Sequence, residues 1–186
     1  MNDGSIAERY RRVGGRFTET VANVPADAWD APAPCEGWVA RDVVRHLVEW
    51  FPPFLESGSG ISIPPIPSVE LDPVQAWMVL DQAVQGLLDD PATTSTVFSH
   101  TLAGTHQLDQ AIGQFFLGDV LLHTWDLARA AGLDERLDPA EVAAMLAGIL
   151  PMDEALRQSG QFGPRVEVAD DADEQTRLIA FVGRRP

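Results

Sequence analysis

Apolar residues at helical spacing set the first limit on what this chain can fold into. Ile6, Tyr10, Val13, Phe17 and Val21 recur at steps of four, three, four and four, which puts them on one stripe of an α-helix. Glu8, Arg9, Arg12, Arg16 and Glu19 take the other side, so the predicted element is an amphipathic surface helix closed by Pro25. A second pattern runs through Val43, Leu47, Trp50 or Phe51, and Phe54. Pro52 and Pro53 remove two backbone donors, and a kink or stop is expected near Phe51. Asp72, Pro73 and Gln75 read as N-cap, N1 and N3 of a third helix with Ala76, Leu80, Val84 and Leu87 inward, ended by Asp89-Asp90-Pro91.

The longest helical pattern covers 106–131, with Ile112, Phe116, Asp119, His123, Leu127 and Ala130 on one stripe and Gly132 at the C-terminal cap. Asp138-Pro139 with Glu141 opens a fifth helix through Met145, Leu146, Ile149 and Leu150, which Pro151 is expected to kink. Residues 57–72, rich in Ser, Gly and Pro, read as an exposed connection. Thr93–Ser99 is an extended candidate, and Arg165–Ala169 alternates like a short strand. Asp171 with Glu174 is read as the cap of a last helix, Gln175–Val182, stopped by Gly183. Four long helices with short additions predict an all-α helical bundle, and 186 residues suit one core with an appendage. The expected division is 1–160 for the four-helix bundle and 161–186 for a short C-terminal extension.

Thirteen Lys and Arg stand against 28 Asp and Glu, a formal net charge of −15. Such a field repels phosphate backbones and anionic lipid, so neither nucleic acid nor a membrane surface is an expected partner. Cys35 is the single cysteine, which excludes an intrachain disulfide and an all-thiolate metal site. Met1–Arg12 is charged and has no apolar leader pattern, and no stretch is long enough to span a bilayer. A soluble, cytoplasmic protein is the expectation.

Asp119 and His123 lie at i and i+4 on one helix face, among Ile112, Phe116 and Leu127. A carboxylate in such company needs a partner, and a cation or an arginine would serve. His46 lies beside the second apolar stripe, between Val43 and Trp50. Facing bundle helices can bring His46 opposite the Asp119/His123 pair, which is how bundle cores build metal sites. Two imidazoles and one carboxylate leave coordination positions open, the arrangement of catalytic sites; zinc suits it, and so does non-haem iron(II). The same spacing also fits a plain Asp119–His123 hydrogen bond, with His46 a satisfied histidine at the edge of the core or paired to Asp42 at i−4.

The other candidates have plainer readings. His100 and His106 flank a turn and read as solvated loop residues, with His106 near a pocket mouth as the alternative. Cys35 reads as a packed small residue. Trp29, Trp38, Trp50 and Trp125 read as core or pocket wall. Asp126, three residues after His123, can orient its imidazole or form a surface salt bridge. Gly58-Ser59-Gly60 lacks the strand–helix setting of a phosphate loop. Asp170, Asp171, Asp173 and Glu174 read as charge at a helix N-terminus.

At these residues a family resemblance appears. Trp29, then Pro34-Cys35-Glu36-Gly37-Trp38 and Arg41-Asp42-Val43-Val44-Arg45-His46-Leu47-Val48, resembles the second-helix signature of DinB-like proteins. More closely, it resembles the metal-binding domain of mycothiol-dependent maleylpyruvate isomerase and its short-form relatives. Asp119-Val120-Leu121-Leu122-His123-Thr124-Trp125-Asp126 is similar to their later ligand helix, and the tail from Phe162 to Pro186 to that of the short forms. The resemblance implies a DinB/YfiT-like bundle with a divalent metal on His46, Asp119 and His123, zinc first and nickel, iron or manganese as alternatives. It implies a low-molecular-weight thiol as cosubstrate, and thiol transfer to a small electrophile or thiol-dependent isomerisation as the activity. A metal- or ligand-binding bundle without turnover is the alternative, and a homodimer fits the fold class. The full isomerase has glutamate where Asp119 stands, and a second domain with a catalytic arginine. Here about twenty residues follow Pro164, too few for an independent domain, so maleylpyruvate isomerisation itself is not the expected reaction.

Overall fold

The structure is a computed structural model that describes residues 4–158 and 162–186. It separates into two compact units, one running to Glu135 and the other from Arg136 to Pro186. The boundary expected at 160/161 lies outside the described residues.

The first unit is a helical bundle. Helix α1 (Ile6–Ala22) starts with a reciprocal cap: Ser5 Oγ accepts from Glu8 N–H at 3.3 Å, and Glu8 Oε2 accepts from Ser5 N–H at 2.8 Å. Helices α2 (Ala40–Ser59), α3 (Pro73–Asp89) and α6 (Leu117–Ala131) complete the bundle, with α1 and α2 each packed against both α3 and α6. Asp72 caps α3 as its Oδ1 accepts from Gln75 N–H at 2.9 Å, and Gly132 ends α6 in the left-handed conformation. Tyr10, Phe17, Phe51, Trp77 and Phe116 are the large side chains at the centre, all fully buried.

Several expectations are corrected by the structure. Of the kink or stop expected near Phe51, the stop is excluded: helix α2 runs through Pro52 and Pro53 to Ser59. Phe51 and Leu55 are each 1% exposed on its inner side, while Glu49 and Pro53 face solvent. Burial on one face thus outweighs two lost donors on the other, where water can meet the freed carbonyls.

Residues 106–131 are not one helix. A one-turn helix α4 (Pro91–Thr94) takes up the start of the expected extended stretch Thr93–Ser99; strand β1 (Val97–His100) then pairs antiparallel with β2 (Gly104–Gln107), so His106 is a strand residue opposite Phe98. The short helix α5 (Leu108–Ala111) follows, then a π-helical turn, Ile112–Phe116, before α6 begins. Such turns add one residue to a helix and recur at functional sites. This one seats Phe116 flat on Phe51, ring centroids 3.9 Å apart.

The unit from Arg136 carries α7 (Pro139–Ile149), a 3₁₀ turn at Leu150–Met152, α8 (Asp153–Gln158) and α9 (Glu174–Phe181). Asp138 caps α7 through Ala140 N–H at 2.9 Å. Another correction lies here: Arg165–Ala169 is not a strand, since among the described residues its backbone bonds are only Val166 N–H to Ala180 O and Ala172 N–H to Ala169 O, both 3.0 Å, and neither forms a ladder. The cap of α9 is Asp173 rather than Asp171; its Oδ1 accepts from Thr176 N–H at 2.7 Å. Among the described residues, no helix is long and apolar enough to cross a membrane.

Candidate metal centre

The segment before α2 folds back on itself. Trp38 N–H donates to Cys35 O at 3.0 Å, and Gly37 takes a φ of +77°. A positive φ at the third position alone defines a type II turn, and glycine adopts it without Cβ strain. The turn brings Cys35 and Trp38 to the junction of α2 and α6.

His46 on α2 and Asp119 and His123 on α6 meet there. His46 Nε2 lies 3.2 Å from Asp119 Oδ2, and His123 Nε2 lies 3.4 Å from Asp119 Oδ1. One ligand atom from each of the three falls within 4.8 Å of the others. His46 therefore does not pair with Asp42, whose carboxylate accepts from Val39 N–H at 2.9 Å and binds Arg45.

The neighbours fix how these donors point. Trp50, one turn after His46, donates its indole N–H to Asp119 Oδ2 at 2.9 Å. Trp38 lies nearly parallel to the His123 ring, centroids 5.7 Å apart, and tilts over His46 at 5.2 Å. Asp126 is completely buried, and its Oδ2 sits 2.9 Å from His123 Nδ1. Cys35 Sγ donates to the same carboxylate oxygen at 3.5 Å. Cys35, His123 and Asp126 thus form a second cluster, sharing His123 with the first.

The charges explain the donor chemistry. Burial by itself would push the His123 imidazole down. The Asp119 charge and hydrogen bond, with bonds to Asp126 and Cys35, outweigh burial and hold its pKa well above the ordinary value. Burial would raise Asp119, yet the charge and hydrogen bonds of His123 and His46 keep it well below the usual carboxylate range. With Nδ1 facing the Asp126 carboxylate, a neutral His123 carries its proton on Nδ1 and turns the Nε2 lone pair toward Asp119. A lone pair facing a carboxylate repels unless a proton or a cation lies between. Two imidazole nitrogens and a carboxylate turned inward on a common point fit a divalent cation, and Asp126 completes the carboxylate–histidine arrangement common behind metal-bound histidines. The His46 and Asp119 side chains keep 33% and 24% exposure, against 4% for His123, so the approach from solvent is on their side.

Other sequence candidates fall elsewhere. Trp125 is core, 2% exposed, with the Arg129 guanidinium 4.5 Å over its ring. His100 and His106 are half-buried on the hairpin rather than in solvated loops. Cys35 is a neighbour of His123, which its isolated place in the sequence did not signal. Trp38 and Trp50 are walls of the centre rather than core.

Residues 10–56 match the family model described as the mycothiol maleylpyruvate isomerase N-terminal domain. Two relatives from Mycobacterium tuberculosis, one from strain CDC 1551 / Oshkosh and one from strain ATCC 25618 / H37Rv, are both described as uncharacterized proteins. Each is 29% identical over 187 residues, covering 94% of this chain and 95% of its own length. No solved structure matches. From α1 through the Cys35–Trp38 turn and most of α2, including His46 and Trp50, the chain is similar to the mycothiol maleylpyruvate isomerase N-terminal domain.

Proposed function

We propose that the chain holds a divalent metal ion, zinc in the first instance, on His46, Asp119 and His123, and brings a low-molecular-weight thiol to a small electrophile. The reaction is thiol transfer or thiol-dependent isomerisation, in the cytoplasm. The observation that carries this reading is the convergence of three donors from α2 and α6 within 4.8 Å. A cation held there would supply Lewis acidity, keeping a bound thiol ionised near neutral pH. The same donors suit nickel, iron or manganese. The family match supports the thiol, since the matching family model is the mycothiol maleylpyruvate isomerase N-terminal domain.

The chain's own groups do the positioning. Asp126 holds His123 at Nδ1 and leaves Nε2 facing the centre. The Trp50 indole N–H anchors Asp119. Trp38 covers both imidazole rings and keeps water from that side. The partly exposed flank at His46 and Asp119 admits the small molecules.

Metal analysis of protein purified without an immobilised-metal column tests the reading. About one metal per chain is expected for wild type, with loss in His123→Ala. Wild-type protein that stays metal-free after supply of zinc, nickel, manganese and iron(II) would remove it. Zinc-dependent conjugation of a thiol to a panel of electrophiles tests the activity, and retained metal with no conjugation would make this a binding protein.

A further inference from the structure

A continuous run of half-buried rings leads from the donor cluster to the hairpin. His46 meets Trp50 at 6.0 Å between centroids, and Trp50 meets Phe54 at 5.5 Å. Phe54 meets Phe115 at 5.5 Å and His100 at 5.1 Å. His106 closes edge-on against Phe115 at 5.6 Å. All six rings are neither buried nor fully exposed. Phe115 comes from the π-helical turn, the hairpin supplies the two histidines, and α2 supplies the rest. A partly open aromatic surface with a few polar groups, beside a reactive centre, has the make-up of a small-molecule site.

Two features restrict what such a surface takes. Leu102 N–H donates to His100 Nδ1 at 3.2 Å, so the neutral ring carries its proton on Nε2. Among the described residues, that Nε2 has no hydrogen-bond partner. His106 differs, because its Nε2–H donates to Ala103 O at 2.7 Å, which leaves an acceptor at Nδ1 and no N–H on offer. The far end of the strip therefore presents one free N–H donor beside aromatic faces. The net charge of −15 disfavours an anion on this surface. An uncharged acceptor on a flat ring satisfies both constraints.

We infer that the strip of Trp50, Phe54, Phe115 and His100 is a recognition subsite for an uncharged aromatic group bearing a carbonyl. The ring stacks on the aromatic faces and the carbonyl oxygen accepts from His100 Nε2–H. The inference rests on the thiol-transfer reading in one respect: the aromatic group belongs to the electrophile, whose reacting end lies at the donor cluster.

Binding of 2-acetylnaphthalene to the full-length protein, read by tryptophan fluorescence and calorimetry, tests it. Comparison ligands are 2-ethylnaphthalene, which lacks the acceptor, and cyclohexyl methyl ketone, which lacks the flat ring. The aromatic ketone is expected to bind about five-fold more tightly than either. His100→Ala is expected to bring the ketone to the level of 2-ethylnaphthalene without changing the latter, and His100→Gln, which keeps an N–H donor, to restore part of the difference. Phe54→Leu is expected to weaken both naphthalenes. Equal binding of the three ligands to wild type, or equal loss of ketone and hydrocarbon in His100→Ala, would overturn the subsite. Zinc titration of the same samples reports separately on the donor cluster: zinc binding without ketone selectivity removes only the subsite, and ketone selectivity without zinc binding removes only the metal.

Discussion

Asp126 holds His123 from behind. Its Oδ2 sits 2.9 Å from the imidazole Nδ1, inside a carboxylate that is wholly buried. Removing it frees the ring to rotate and lets the proton move to Nε2, where a metal would bind. Asp126→Ala is expected to lower zinc affinity about 10–100-fold, the usual cost of losing such a partner. Competition against a chromophoric chelator measures it, and an unchanged affinity would show that His123 is oriented by other contacts.

The bundle centre predicts a large stability loss at Phe116. Its ring is fully buried, flat on Phe51 at 3.9 Å and 6.0 Å from Tyr10. Phe116→Ala is expected to cost about 3–5 kcal/mol through the cavity it leaves. Urea unfolding should show a lower midpoint at unchanged slope.

Gly58 on α2 is predicted to resist even the smallest substitution. A Cβ there would come within 2.2 Å of the Phe98 ring, and Phe98 is itself only 1% exposed. Gly58→Ala is expected to destabilise the protein by about 1–3 kcal/mol through overpacking, against the small gain alanine gives in an open helix. A higher melting temperature for Gly58→Ala would contradict the close approach of α2 and β1.

A pH-dependent effect is predicted at Asp81, on α3. Burial raises its pKa above the ordinary carboxylate value, partly offset by the Thr18 hydroxyl, which donates to Asp81 Oδ2 at 3.3 Å. The folded state therefore binds this proton more tightly than the unfolded chain does. Its contribution is full below the unfolded value of 3.8 and is lost as pH rises through the folded value. Asp81→Asn removes the ionisation while keeping an acceptor for Thr18. At pH 7 it is expected to melt roughly 2 °C higher than wild type, with the difference shrinking toward pH 4. A gain that is the same at both pH values would place its cause elsewhere.

The bundle was legible because its helices obey simple rules. The stripe from Ile6 to Val21 and the caps at Asp72 and Asp138 are local signals, and all three appear in the structure. His46, Asp119 and His123 could be singled out because histidine and aspartate beside apolar stripes are unusual there. Asp126 was not legible as buried, because α6 is covered on almost every side from Val120 to Ala128 and periodicity cannot rank the faces of such a helix. Cys35 and Trp38 reach the centre through a turn, whose direction no helical pattern encodes. The π-helical turn escaped for a related reason: one extra residue leaves apolar spacing nearly intact over so short a stretch. The persistence of α2 through Pro52 and Pro53 depended on tertiary burial of Phe51 and Leu55, which local propensity does not contain.

The added residue at Ile112–Phe116 sets the hairpin and the donor pair out of phase with each other. The side chains of α5 are rotated by about one residue's worth of helical angle relative to Asp119 and His123. Shortening this turn by a single codon would swing Phe115 away from Phe54 while leaving α6 untouched. The placing of the hairpin rings can then change with no change in the spacing of Asp119 and His123 along α6.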